Sequence, residues 1–199
     1  MSRNPSARRA PVYGPVHKAH RYVLGSALMR LGATDFADSR EAAAAARLVR
    51  DVIRFSADHL DNEDRHLHPL LRAIAEDHVL GLETAHEGHA REFETLGRLA
   101  DAAEGDDREE RVRKGSELYL RFARFVAQDL EHMDFEERVI EPLLHARYSD
   151  EELGAVHHAI VATMSQEELH ELAELAGKAL NRSEQQAVAA LFDQGREAA

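Results

Sequence analysis

The sequence predicts an all-α protein: an antiparallel, up-down four-helix bundle followed by additional C-terminal helices. Three observations predict it. Leu, Ala, Glu and Arg dominate the 199 residues while aromatics make up only 6%, a composition that favours helix. Four long segments repeat apolar residues at helical spacing and are joined by short connections. No segment alternates apolar and polar residues as a half-buried strand does.

Each element can be placed in order. Residues 1–14 carry Pro and Gly breakers and little apolar pattern, so they are expected to form a flexible N-terminal tail. The bundle is expected over residues 15–147. Its first helix starts at Pro15, carries His17, Leu24, Leu28 and Leu31 on one stripe, and ends near Gly32. The second starts near Ser39 and runs toward Pro69, where a helix must kink or reset. Gly81 is expected to separate it from the third, "LETAHEGHAREFETLGRLADA", and the loop "AEGDDREE" leads to the fourth, which again has a Pro near its end. Residues 148–199 read as a helical extension of three shorter helices, packed on the bundle, on a protein partner or in a homodimer. Ser165 before Glu168 and Ser183 before Gln186 resemble capping boxes there.

Bulk properties exclude several classes. The net charge of −12 counts against a nucleic-acid or anionic-membrane surface. No apolar run approaches the roughly 18 residues of a membrane span. The basic stretch "SRNPSARRAP" has no apolar segment after it, so no export signal is expected. With no Cys the chain has no disulfide and no thiolate metal ligand, which fits the reducing cytoplasm where the protein is expected.

One motif is written twice. "HLDNEDRHLHPLL" begins at His59 and "HMDFEERVIEPLL" at His132, 73 residues later, with seven of thirteen positions identical. Residues i and i+4 share a helix face, so His59 with Glu63, and His132 with Glu136, each present an imidazole beside a carboxylate. Apolar neighbours such as Phe55, Phe135 and Ile140 are expected to turn that face inward. Two carboxylates in a bundle core are costly unless a cation compensates. The first helix adds His17 to its inward stripe and the third adds His86. Four imidazoles and two carboxylates suit two first-row metal ions bridged by the acids, with iron, manganese or zinc as the fitting elements.

These residues carry a resemblance. "VHKAHR", "HLDNEDRHLHP", "HEGHAREFETL" and "DLEHMDFEERVIEPLL" together resemble the hemerythrin and HHE cation-binding family, a di-iron four-helix bundle, over about residues 15–147. The tail resembles the C-terminal helices of bacterial members with such an extension. The resemblance implies His17, His59, His86 and His132 as terminal ligands of two non-heme irons, with Glu63 and Glu136 bridging. Oxygen-carrying members use a fifth His four residues after the third-helix His and an Asp on the fourth helix. Here position 90 is Ala, the nearby candidate fifth ligand is His89, and the fourth-helix acid is a Glu. Members that repair iron–sulfur clusters usually bear an N-terminal Cys segment, which this chain lacks.

The remaining histidines divide by position. His20 is an alternate to His17, His66 is expected in the core near the site, and His68, His78, His145 and His170 are expected at the surface. His157 and His158 are expected to be exposed or capping. Three functions follow. The first is a binding protein that takes up dioxygen or nitric oxide for sensing, storage or delivery. The second is an enzyme, such as an oxidase or a peroxide- or nitric-oxide-consuming protein, or an iron donor for cluster repair. The third is an interaction module with a structural metal.

Overall fold

The computed structural model describes residues 9–197, with side chains through residue 189, and is all-helical, with no strand among the described residues. Helix α1 spans Gly14–Gly32 and α2 spans Ser39–Asn62, whose N-cap Asp38 accepts from the Arg40 and Glu41 backbone N–H groups. Helix α3 (His68–Arg72) continues α2 after a wide turn at Glu63–Leu67. Helix α4 covers Glu76–Ala102, and α5, capped by Asp107, covers Arg108–Phe135. A second wide turn, Glu136–Ile140, leads into α6 (Glu141–Arg147). Helices α7 (Asp150–Thr163), α8 (Gln166–Ala179) and α9 (Arg182–Glu197) follow. No helix among the described residues is long and apolar enough to cross a membrane.

The wide turns have a common cause. Pro69 and Pro142 lack an N–H and crowd the carbonyl four residues back, so each helix loosens just before its proline. In the first turn the His68 N–H donates to the Glu63 carbonyl, an i→i−5 bond; in the second the Glu141 N–H donates to the Glu136 carbonyl. These are π-type turns, which tend to occur where side chains are aimed for function. In both copies the repeated Glu is the first residue of the turn.

Helix α1 packs against α2 and α5, and α4 packs against the same two. Two apolar clusters fill the interior. One contains Leu24, Leu31, Val49, Leu60, Phe93 and Met133; the other contains Tyr13, Leu67, Leu82, Ile140 and Leu144. Along α4, and along the runs from Tyr13 into α1, from α2 into α3 and from α5 into α6, the site histidines and acids fall at the changeover between the two clusters. Polar residues therefore divide the core rather than rim it.

Several sequence expectations are corrected. Gly81 lies inside α4, exposed, and interrupts nothing, because a single surface glycine costs a helix only about 1 kcal/mol. Of the expected loose tail, residues 1–8 lie outside the described residues, and the stretch from Arg9 is tied down. Arg9 donates to the carbonyls of His145 and Tyr148, the Val12 and Tyr13 N–H groups donate to Glu141, and both apolar side chains are buried. His145, expected at the surface, and His157, expected to be exposed or capping, are half-buried against the same segment, with the Nε2 of His157 2.9 Å from the Val12 carbonyl and that of His145 3.0 Å from the Ala10 carbonyl. Phe135 is exposed, since it sits one residue, or about 100°, from inward-facing Glu136. The cap of α9 is Asn181 with Glu184 rather than Ser183 with Gln186. The Ser165–Glu168 box is present, and so is a Ser149–Glu152 box on α7. Helix α8 packs on α1, and Lys18 reaches Glu184 at 2.5 Å.

One packing contact makes a direct stability prediction. A Cβ at Gly115 would sit 2.0 Å from Cγ of Phe36, whose ring covers that point of α5. Gly115→Ala is expected to destabilise the protein by about 1–3 kcal/mol, despite the better helix propensity of Ala. A thermal melt equal to or above wild type would contradict it.

Candidate metal centre

Glu63 and Glu136 are both buried, 3% and 0% exposed, in the belt between the two apolar clusters. Each acid divides its two oxygens between two sets of imidazoles. Oε1 of Glu63 lies 3.6 Å from His17 Nε2 and 3.3 Å from His59 Nε2, while its Oε2 lies 3.7 Å from His86 Nε2. Glu136 does the same in the other sense, with Oε2 at 3.4 Å from His17 Nε2 and Oε1 at 3.4 Å from His132 Nε2. His86 and His132 bring their Nε2 atoms to 3.1 Å of each other.

Two groups result, each with ligand atoms within 4.8 Å of one another. One is His17, His59, Glu63 and Glu136; the other is His86, His132, Glu63 and Glu136. The two acids belong to both. His17 Nε2, His59 Nε2 and all four oxygens of the two acids are buried without a hydrogen-bond partner. Unmatched buried acceptors are expensive, and so many facing one another are relieved by a cation. The donor set therefore fits a metal centre.

Protonation behaviour points the same way. Burial, reinforced by Glu136, holds the Glu63 carboxyl well above its usual range, and burial likewise raises Glu136. Desolvation lowers the pKa of every imidazole in the two groups, that of His132 to about 2, so all are neutral at pH 7. Neutral imidazole is the form that ligates a metal. Without a cation the pocket suppresses its own charge.

Two acids that the motif reading passed over hold the outer faces of the histidines. Asp64 follows Glu63 in the first wide turn and accepts from His86 Nδ1–H at 2.7 Å. Glu137 follows Glu136 in the second and accepts from His17 Nδ1–H at 3.0 Å, while Arg21 makes two hydrogen bonds to its carboxylate. The His17 contact holds Glu137 down at about 2, so it stays ionised at neutral pH. A proton placed on Nδ1 leaves the Nε2 lone pair of each histidine facing the shared acids, the arrangement that orients metal-ligating histidines. The signal was in the repeat, where the residue after each motif Glu is acidic in both copies. Asp64→Asn and Glu137→Gln are each expected to weaken metal binding about 10–100-fold without unfolding the chain. A competition titration against a chelator checks this, and unchanged affinity in both variants would refute the role.

His68, expected at the surface, is buried at 2% exposure, stacked on the His86 ring at 5.0 Å between centroids. Its Nδ1 lies 2.9 Å from Asp64 Oδ1 without hydrogen-bond alignment. Asp64, His68 and His86 form a third group, in which Asp64 is exposed and both histidines are buried. His66 is half-buried with an unpartnered Nε2.

His89, a candidate fifth ligand, joins neither shared-acid group. Three residues after His86, it sits one turn along α4, its ring edge-on to His132 and its Nε2 3.9 Å from Asp129. His20, the alternate to His17, is likewise displaced one turn along α1; its Nε2 lies 2.9 Å from Ser56 Oγ and 3.5 Å from Asp129 Oδ2. Asp129 itself is buried at 1% exposure and raised to about 7 by desolvation. Sequence reading missed it and Ser56, although each stands three residues before the histidine of its motif copy. Comparisons of the chain with protein-family models, with curated proteins and with solved structures returned no match.

Proposed function

We propose that this chain is an antiparallel four-helix bundle of the hemerythrin-like class that holds two iron ions and binds dioxygen or nitric oxide at them. The alternation of the core supports the bundle. The run from the N-cap Tyr13 into α1 feeds the Tyr13 cluster before the Leu24 cluster, the run from α2 into α3 reverses the order, and α4 and then the run from α5 into α6 repeat the alternation. Helices that run in turn up and down past the same two clusters give that pattern.

The observation that carries the function is the division of the Glu63 and Glu136 oxygens between two histidine pairs. One ion would be held by His17 and His59, the other by His86 and His132, with both acids shared. Two nitrogen and two oxygen donors per ion leave coordination room for a small ligand. When bound, an iron pair supplies redox-active electrons to such a ligand; manganese or zinc fits the same donors. The protein's part is to hold the imidazoles neutral and oriented, and to keep water out through the apolar clusters on either side.

Metal analysis of anaerobically purified protein tests the reading, followed by an absorption spectrum as air is admitted. Two irons per chain with an oxygen-dependent charge-transfer band are expected. A single redox-silent metal that only raises the melting temperature would favour a structural site instead. Steady turnover with an added reductant would identify an enzyme.

A further inference from the structure

Beside the proposed metal centre lies a second polar layer that the ligand set does not use. It takes one residue from each long helix: His20 from α1, Ser56 from α2, His89 from α4 and Asp129 from α5. Each stands three residues from a ligand of its helix, on the side away from the two shared acids. All four are buried, at 0%, 0%, 7% and 1% exposure. Their rings abut the ligands directly: His20 meets His59 edge-on at 4.9 Å and His89 meets His132 at 5.1 Å.

A buried polar layer should be internally satisfied, and this one is not. His20 Nε2 is hydrogen-bonded to Ser56 Oγ and only approaches Asp129 Oδ2, at 3.5 Å, and Asp129 faces His89, so His20 Nδ1, His89 Nδ1 and Asp129 Oδ2 have no hydrogen-bond partner. Nor is the trio Ser56, His20 and Asp129 a hydrolytic triad. Both neighbours meet the same imidazole nitrogen, whereas a relay needs the acid on the opposite one.

We infer that His20, Ser56, His89 and Asp129 form the hydrogen-bonding wall of the chamber in which the small ligand sits on the metal pair. This deepens the proposed function and rests on it. A neutral imidazole carries one N–H and one lone pair and exchanges them between its nitrogens. The free Nδ1 atoms therefore donate to an acceptor or accept from a protonated ligand. The chemical class that fits is a small ligand whose outer atom takes part in a hydrogen bond, such as a linear triatomic anion.

Azide on the oxidised, iron-loaded protein is the probe, with iron content read in parallel. The variants are His20→Leu, His89→Leu, Asp129→Asn and Ser56→Ala. Each of the first three is expected to keep two irons and to bind azide about tenfold more weakly, through a faster off-rate. Ser56→Ala, the gentlest change, is expected to loosen azide about threefold by releasing His20. If the leucine variants do not fold, Asp129→Asn and Ser56→Ala decide, and unchanged azide affinity in both overturns the wall. Loss of one iron in the His20 or His89 variant also overturns it, since those residues would then be ligands. Wild-type protein that takes up no iron would sink the metal-centre reading itself, a failure visible before azide is added.

Discussion

Glu63→Gln or Glu136→Gln is expected to empty both metal positions, whereas His59→Ala or His132→Ala should weaken one far more than the other. The reason is the sharing. Each acid faces both histidine pairs, so one substitution removes an oxygen donor and half of the carboxylate charge from two positions at once. Glutamine keeps the volume and the helix but offers a neutral amide, a far poorer partner for a divalent cation. The loss belongs to the ligand set and not to the fold. In the metal-free protein each acid is a desolvated group lacking partners, so its neutral isostere should not lower the melting temperature. Elemental analysis and a chelator-treated melt check the two halves. A metal content in the two glutamine variants equal to that of the wild type would refute the shared assignment.

The metal-free protein should be most stable near pH 6.5 and lose stability on either side. On the alkaline side the cause is the acids. Burial raises Glu63, Glu136 and Asp129 in the native state, Asp129 from 3.8 to about 7. Between the unfolded and native values the unfolded chain gives up protons that the native site retains, so stability falls as pH rises through that window. Asp129 alone corresponds to about 4 kcal/mol across it. On the acid side the cause is the histidines. Desolvation lowers His20 to about 3, His89 to about 4 and His132 to about 2, with His17, His59 and His86 also lowered. Below their ordinary value of 6.5 the unfolded chain takes up protons that the native site refuses, so stability falls as pH drops. Where the windows overlap, these six histidines, with His68 and His157 lowered by burial beside them, outweigh three acids, which puts the maximum at about pH 6.5.

Metal should reverse the alkaline limb. A cation favours the ionised acids, so loading releases protons and binding tightens as pH rises. Calorimetric melts from pH 5 to pH 8, with chelator and with iron, test this directly. A metal-free melting temperature that stays flat from pH 6.5 to pH 8 would show the acids to be solvated after all.

Much of this was legible because the relevant code is local. The helical class follows from composition and 3.6-residue periodicity. The pairing of His59 with Glu63, and of His132 with Glu136, follows from the i, i+4 geometry of any helix. Capping at Ser165 follows from short-range hydrogen bonding. What failed depended on neighbours. Gly81 had the chemistry of a breaker but lies on an exposed face, where its cost is small. Arg9 to Tyr13 had the composition of a tail but finds carbonyls and Glu141 to bind. His68 looked like a surface residue by its repeat partner Glu141, yet the wide turn before Pro69 brings it beneath His86.

By itself, then, the sequence determined that the chain is helical and that two helices each carry an imidazole and a carboxylate on one face, since backbone spacing settles both. Only the tertiary structure decided which histidines converge on the acids, that Asp64 and Glu137 hold two of them, and that His20, Ser56, His89 and Asp129 make a layer of their own. The physical reason is that a side chain's partners across a core depend on how four helices rotate and slide against one another. Residues three apart on one helix, such as His86 and His89, are neighbours in sequence space and yet occupy different layers of the interior.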